Sequence, residues 1–152
     1  MSNQACILST KDHTILEVLY DRYRGRGDPL AFMLRRKLES AIVVFREDVP
    51  ENVATLNSRV RFSANRDGAQ TRIISYGTLQ PVGMYIPITS PRGLALIGLS
   101  EGEEFRIPYR DGGIFQIELR EVLYQPEKAR REASGSSFEN PYLGLRPQLK
   151  LV

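Results

Sequence analysis

The 152 residues are 41% apolar and 26% charged, enough for one ordinary core or a small domain with an appendage, and too few for two large domains. With 21 basic and 18 acidic residues mixed along the chain, the net charge of +3 does not demand a nucleic-acid partner. Cys6 is the sole cysteine and His13 the sole histidine, which excludes an intramolecular disulfide and leaves too few parts for a zinc site or a Ser-His-Asp triad.

No stretch approaches the ~18 apolar residues of a membrane span. The start Met-Ser-Asn-Gln-Ala-Cys-Ile-Leu lacks the basic residues and long apolar run of a secretory leader, so a soluble, cytoplasmic protein is expected. Cys6, Ile7 and Leu8 read as a short strand, with Cys6 a small buried side chain rather than a nucleophile. Ser9 and Asp12 stand at capping-box spacing, so a helix should open near residue 10. Leu16, Leu19, Tyr20 and Tyr23 form its apolar stripe, with His13 on its surface. Gly25-Arg-Gly27 stops it. Asp28 as N-cap and Pro29 at the first helical position open a second helix at once, whose Leu30, Leu34 and Leu38 ridge can face the first. The pair is a short helical hairpin, because arms of about 13 residues reach only ~20 Å. Residues 41–45 remain apolar and β-branched, which leaves the helix end open by several positions.

Residues 46–52 are charged and broken by Pro50, as expected of a linker. Arg59-Val-Arg-Phe62 and Thr71-Arg-Ile-Ile-Ser-Tyr76 flank turn chemistry at Asn65-Arg-Asp-Gly68 and predict a β-hairpin. Residues 82–88 predict an edge strand or an irregular crossing on account of Pro87. A short helix over residues 91–99 is apolar nearly all round, so it must be buried on the sheet, with Gly102 closing it. Residues 104–109 and 114–124 then pair across Arg110-Asp-Gly-Gly113. Neither turn has the spacing or the lysine of a phosphate-binding loop. The fold class is α+β: an N-terminal antiparallel helical hairpin over residues 1–48, an antiparallel sheet domain with one packed helix over 49–127, and a flexible tail over 128–152, in which 140–147 offer a docking strip.

Asn57-Ser-Arg-Val-Arg-Phe62, the stretch Ser90 to Glu104 and Val122-Leu-Tyr-Gln-Pro-Glu127 together resemble the regulator of nucleoside diphosphate kinase family, relatives of the GreA/GreB-type transcript-cleavage factors. The resemblance covers roughly residues 5 to 127. It implies an FK506-binding-protein-like (FKBP-like) C-terminal domain, a coiled-coil hairpin shorter than that of the cleavage factors, and a non-catalytic protein without cofactor or metal. It also implies docking at the RNA polymerase secondary channel through the loop that opens the short helix, here Thr89, Ser90, Pro91 and Arg92. Ser90 should cap that helix with Pro91 at its first position, and a Ser-Pro start with a neighbouring guanidinium fork can also meet a partner. Cleavage by the longer relatives requires acidic residues at the hairpin tip that hold magnesium. Here the tip offers Asp28 alone, between Arg24, Arg26 and Pro29, so occupancy of the channel rim without cleavage is implied.

Other readings stand beside this one. Arg35-Arg-Lys37 could touch nucleic acid such as DNA or an acidic protein surface, or form a solvated helix face. Exposed Tyr23, Phe32 and Met33 would give the hairpin a homodimer face. Tyr76, Tyr85, Phe105 and Tyr109 could line a peptidyl-prolyl isomerase-like pocket or belong to the core. Direct modulation of nucleoside diphosphate kinase or another enzyme, as the family name suggests, is the alternative function. Isomerase-like binding ranks third.

Overall fold

Strand β1 (Ile7–Ser9) runs directly into α1 (Thr10–Tyr23) because Ser9 keeps an extended backbone while its hydroxyl accepts the Asp12 N–H at 3.0 Å. The chain is described here from a computed structural model over residues 5–65, 67–77, 81, 83–108 and 112–134. Asp12 does more than complete a cap. It is fully buried, and its Oδ2 accepts the Leu56 N–H at 3.1 Å. Burial pushes its carboxyl pKa upward, against the opposing pull of that N–H and of Lys11.

Residues 24–28 turn the chain, with Gly25 and Gly27 at φ 79° and 69°, a region that glycine enters freely. Asp28 Oδ1 then accepts the Leu30 N–H at 2.9 Å and starts α2 (Pro29–Ser40). Leu16 and Leu19 of α1 and Leu34 of α2 are buried, with Leu30 and Leu38 packed beside them, as the periodicity requires. Met33 is buried as well, only 4% exposed, and Tyr23 is half-buried, which leaves Phe32 as the large exposed apolar residue of the three expected on a dimer face. After α2 the β-branched run becomes a strand, β2 (Ile42–Val44), parallel to β1.

The main sheet comprises β3 (Arg59–Ala64), β4 (Gln70–Ser75), β5 (Tyr85–Pro87), β6 (Glu104–Pro108) and β7 (Ile114–Tyr124), in the order β5-β4-β3-β7-β6. It is mixed rather than wholly antiparallel, because β5 joins β4 in parallel. Pro87 confines β5 to a three-residue edge. Val60, Phe62 and Ala64 of β3 and Phe115, Ile117 and Leu119 of β7 turn inward, while Arg61 meets Glu121 across the outer face at 3.3 Å. On the inner face lies α3 (Pro91–Leu96), with Leu94, Ala95 and Leu96 buried. Gly98, at φ 90°, and not Gly102, makes the turn that follows it, and a Cβ there would come within 2.9 Å of Cys6 Cβ. The Ile7 N–H bonds the Gly98 carbonyl at 2.9 Å, so β1 is docked on this turn. One apolar cluster contains Cys6, Leu8, Leu16, Leu19 and Leu34 together with the sheet and α3 residues. The helical pair and the sheet therefore share a core.

Lys37 fastens that junction. It is fully buried, and its Nζ donates to the carbonyls of Ala95 at 2.7 Å and Ile97 at 2.6 Å while lying 4.5 Å over the Phe105 ring. The basic triplet expected to act as one patch is thus split three ways. Arg35 is exposed and paired with Glu39 at 2.9 Å, and Arg36 lies along Phe105 and donates to the Arg106 carbonyl at 3.0 Å. Successive helical residues point about 100° apart, so no three in a row share a face.

The chain also remains ordered past residue 128, where a tail was expected. α4 (Pro126–Ala133) is capped by Gln125, whose Oε1 accepts the Lys128 N–H at 3.1 Å and whose Nε2 donates to the carbonyls of Pro50 and Val53, each at 2.8 Å. Glu127 is buried and accepts the Thr55 hydroxyl at 2.7 Å. The expected linker is thereby pinned: its 3₁₀ turn, Arg46–Asp48, packs on α4, with Arg131 donating to the Glu47 carbonyl at 3.1 Å. The expected strip 140–147 lies outside the described residues, as do Tyr109, Arg110 and Asp111. Among the described residues, no helix is long and apolar enough to cross a membrane.

Lys37→Ala should lower stability by about 2–4 kcal/mol in urea titration, since it leaves two buried carbonyls without donors and opens a cavity. Burial lowers the Lys37 pKa to about 8. The unfolded chain keeps that proton to about pH 10.4. Between those values unfolding takes up a proton, so stability rises with pH. Compared across that window with Lys37→Met, which cannot titrate, the natural chain should gain stability; a parallel trend in both would contradict the assignment.

Candidate docking groove

The loop between β5 and α3 is built on one carbonyl. Pro87 O accepts the Ser90 N–H at 3.0 Å and the Ser90 hydroxyl at 2.6 Å, while Ser90 Oγ accepts the Gly93 N–H at 3.2 Å. Pro91 follows at the first helical position. Gly93 has no substitute here, because a Cβ would collide with the Pro87 carbonyl. Ser90 is therefore the N-cap expected from the sequence, with its hydroxyl committed on both sides. Thr89 and Ser90 are half-buried, whereas Pro91 and Arg92 are exposed.

Beside this loop runs an open groove of about 920 Å³ between the start of α2 and the sheet. Phe32, Met33, Ile86 and Phe115 supply its apolar surface, with Pro29, Tyr85 and Pro91 along it. Its polar groups are Asp28, Asn65, Gln70, Arg72, Ser90 and Arg92. The fold thus brings the turn after α1 and the Ser90 loop, more than 60 residues apart in sequence, to one surface. Of the expected tip residues, only Asp28 lines the groove. Arg24 is exposed beside Asp21 at 3.8 Å, and Arg26 is exposed. Thr89 is not among the lining residues. Sequence reading missed the contributions of Phe32, Arg72 and Phe115, which no local motif marks, since each joins the groove only through tertiary packing.

The lining residues present two guanidinium groups, one carboxylate, two amides and the hydroxyls of Ser90 and Tyr85 over an apolar base, and include no histidine, cysteine or lysine. His13 lies elsewhere, on α1, 3.6 Å from Glu17. Cys6 is buried, with its Sγ 3.4 Å from the Lys37 carbonyl. Among the described residues, no group of three or more His, Cys, Asp and Glu could hold a metal ion. Of the aromatic residues considered for a pocket from the sequence, the three described are dispersed: Tyr85 lines the groove, Tyr76 is exposed away from its lining, and the Phe105 ring is covered by Lys37 and Arg36.

No family model matches the chain. It is 30% identical over 131 residues to a regulator of nucleoside diphosphate kinase from Escherichia coli K12, covering 85% of this chain and 96% of that protein. The regulator of the same name from Shigella flexneri gives the same figures. Among solved structures, a prokaryotic transcription elongation factor GreA/GreB from Nitrosomonas europaea matches at a TM-score of 0.60 and 31% identity, covering 78% of this chain and 99% of that one. The mixed α+β fold is thus similar to that of the GreA/GreB factors. The chain belongs to the regulator of nucleoside diphosphate kinase family.

Ser90→Ala should cost about 1 kcal/mol through loss of the cap. Gly93→Ala should cost more, because the β5–α3 approach must open. Urea midpoints of the two variants test this order, and equal midpoints would contradict the close approach at Gly93.

Proposed function

We propose that this protein is a non-catalytic transcription regulator that docks at the rim of the RNA polymerase secondary channel through Thr89, Ser90, Pro91 and Arg92 and does not stimulate transcript cleavage. On this reading, residues 49–127 are an FKBP-like anchor and the α1–α2 pair is a short hairpin plug. The observation that carries it is the shared groove, which unites Asp28 and its neighbours Gly27 and Pro29 with Ser90 to Arg92 on one surface of a GreA/GreB-like fold. Pro91 and Arg92 are the exposed members of the loop, and an exposed guanidinium is a fork donor suited to an acidic partner.

Two features support occupancy without cleavage. Helices of 14 and 12 residues extend about 20 Å at most, and they lie against the sheet along a shared core. At residues 24–28 the one carboxylate is Asp28, whose Oδ1 is engaged by the Leu30 N–H, and the other charged residues of this turn, Arg24 and Arg26, are cationic. A metal for phosphoryl chemistry needs more oxygen donors than this tip presents.

The relatives' name favours a second reading, direct action on nucleoside diphosphate kinase. Purified components separate the two. Core polymerase should retain the natural chain, and Arg92→Glu should weaken retention about 10-fold by reversing one rim charge. Addition to stalled, magnesium-containing elongation complexes should produce no shortened transcript. Equal retention of both chains, or none of either, would overturn the docking site; altered kinase turnover with polymerase absent would establish the second reading.

A further inference from the structure

Among the described residues, β2 is paired on one side only, with β1. The Ile42 N–H bonds the Cys6 carbonyl at 2.7 Å. Alternate residues of a parallel ladder direct their polar groups to opposite sides, so those of residues 41, 43 and 45 face away from β1. The backbone is extended over this whole span, with Ala41 at φ −71°, ψ 134° and Phe45 at φ −68°, ψ 155°. Its side chains are apolar and in water: Ile42 is 53% exposed, Val43 44% and Phe45 67%. Natural proteins blunt such an edge with lysine, proline or a bulge. Residues 41–45, Ala-Ile-Val-Val-Phe, contain no lysine and no proline.

Hydrogen bonds within the chain decide what this edge can accept. The Ala41 N–H donates to the Leu38 carbonyl at 3.4 Å, and the Phe45 carbonyl accepts the Asp48 N–H at 2.9 Å. What remains along the open side is the Ala41 carbonyl, the Val43 N–H, the Val43 carbonyl and the Phe45 N–H, in the order acceptor, donor, acceptor, donor. Run antiparallel, that series is its own complement. A two-fold axis at Val43 matches each Val43 N–H with the Val43 carbonyl of a second copy, and each Phe45 N–H with the opposite Ala41 carbonyl. Sliding the pairing by two residues either way would call on the engaged Ala41 N–H or the engaged Phe45 carbonyl.

Side-chain size fits the same register. Ile42 stands opposite Val44 on one face, while on the other Val43 meets its own copy and Phe45 meets Ala41, the largest side chain against the smallest. Each exposed side chain thereby gains a cross-strand neighbour on its own face. β2 follows the C-terminal end of α2, whereas the groove borders the N-terminal end, so the two surfaces are separate.

We propose that the free edge of β2 is a self-association site, at which a second copy of this chain pairs antiparallel about Val43 and joins the two β1–β2 ladders into one continuous sheet. Three exposed side chains from each copy bury well under the ~800 Å² per partner of a standard interface, so the dimer is weak and reversible.

Sedimentation of the full chain tests this. Between about 10 µM and about 1 mM the apparent mass of the natural chain should rise about 1.5-fold, and Val43→Lys, which sets like charges against each other on the axis, should abolish the rise. A second variant, Val43→Cys, should oxidise to a covalent dimer, because Cα atoms across a hydrogen-bonded antiparallel pair stand ~5.5 Å apart, within disulfide range. Val18→Cys, on the exposed side of α1, should give at least ~5-fold less covalent dimer. A constant mass up to the highest concentration, the same rise in Val43→Lys, or equal yields from the two cysteine variants would overturn the proposal. Slow exchange of the Val43 amide at the lowest concentration would also overturn it, by assigning the edge to the same chain.

Discussion

A lysine ammonium buried against the end of a buried helix sets the geometry of everything around it. α3 is too short to satisfy its own last carbonyls, and its position on the sheet keeps water from them. Lys37 supplies the missing donors from a different helix, with the Phe105 ring beneath its charge. Desolvation opposes such an arrangement, which is why the lysine is easier to deprotonate than in water, but removing it strands polar groups that have nowhere else to turn. The consequence is positional. α2 is held at a fixed depth on the sheet, and because a helix is a stiff rod its other end, carrying Asp28 and Phe32, is held over the Ser90 loop.

The groove therefore has a built wall on each side. On one side, Pro87 O, Ser90 Oγ and the absence of a Cβ at Gly93 lock the entry into α3. On the other, Asp28 is occupied in starting α2. The Ser90 hydroxyl and the Asp28 carboxylate are thus spent on holding the backbone, so the docking proposed above falls to Arg92, Pro91 and the apolar base. A surface fixed in this way loses little conformational freedom on binding, which favours affinity without adding contacts. In the docking proposed above, the helical pair acts by bulk and position, and its tip needs no metal.

Much of this was legible in the residues. The Ser9, Asp28 and Ser90 caps, the leucine ridge of α2, the alternation in β3 and β7 and the family resemblance were each readable from short spacings. α4 was readable too: Gln125, Pro126, Glu127 and the later Arg130 and Arg131 form an ordered helix signature, hidden by a composition that looked like a tail. Arg35, Arg36 and Lys37 were not. Adjacent in sequence and alike in charge, they enter solvent, an aromatic face and the core respectively.

The sequence by itself determined where α1, α2 and α3 begin, which faces are apolar and which family the chain resembles, because caps, turns and periodicity act within about four residues. Tertiary structure alone decided that Lys37 and Asp12 would be buried, that the helical pair would share a core with the sheet, and that Asp28 and Arg92 would line one groove. The partners responsible lie far along the chain, 44 residues from Asp12 at Leu56 and 58 and 60 from Lys37 at Ala95 and Ile97. The burial of a charge depends on whether such distant groups arrive to hydrogen-bond it, and no local spacing encodes that.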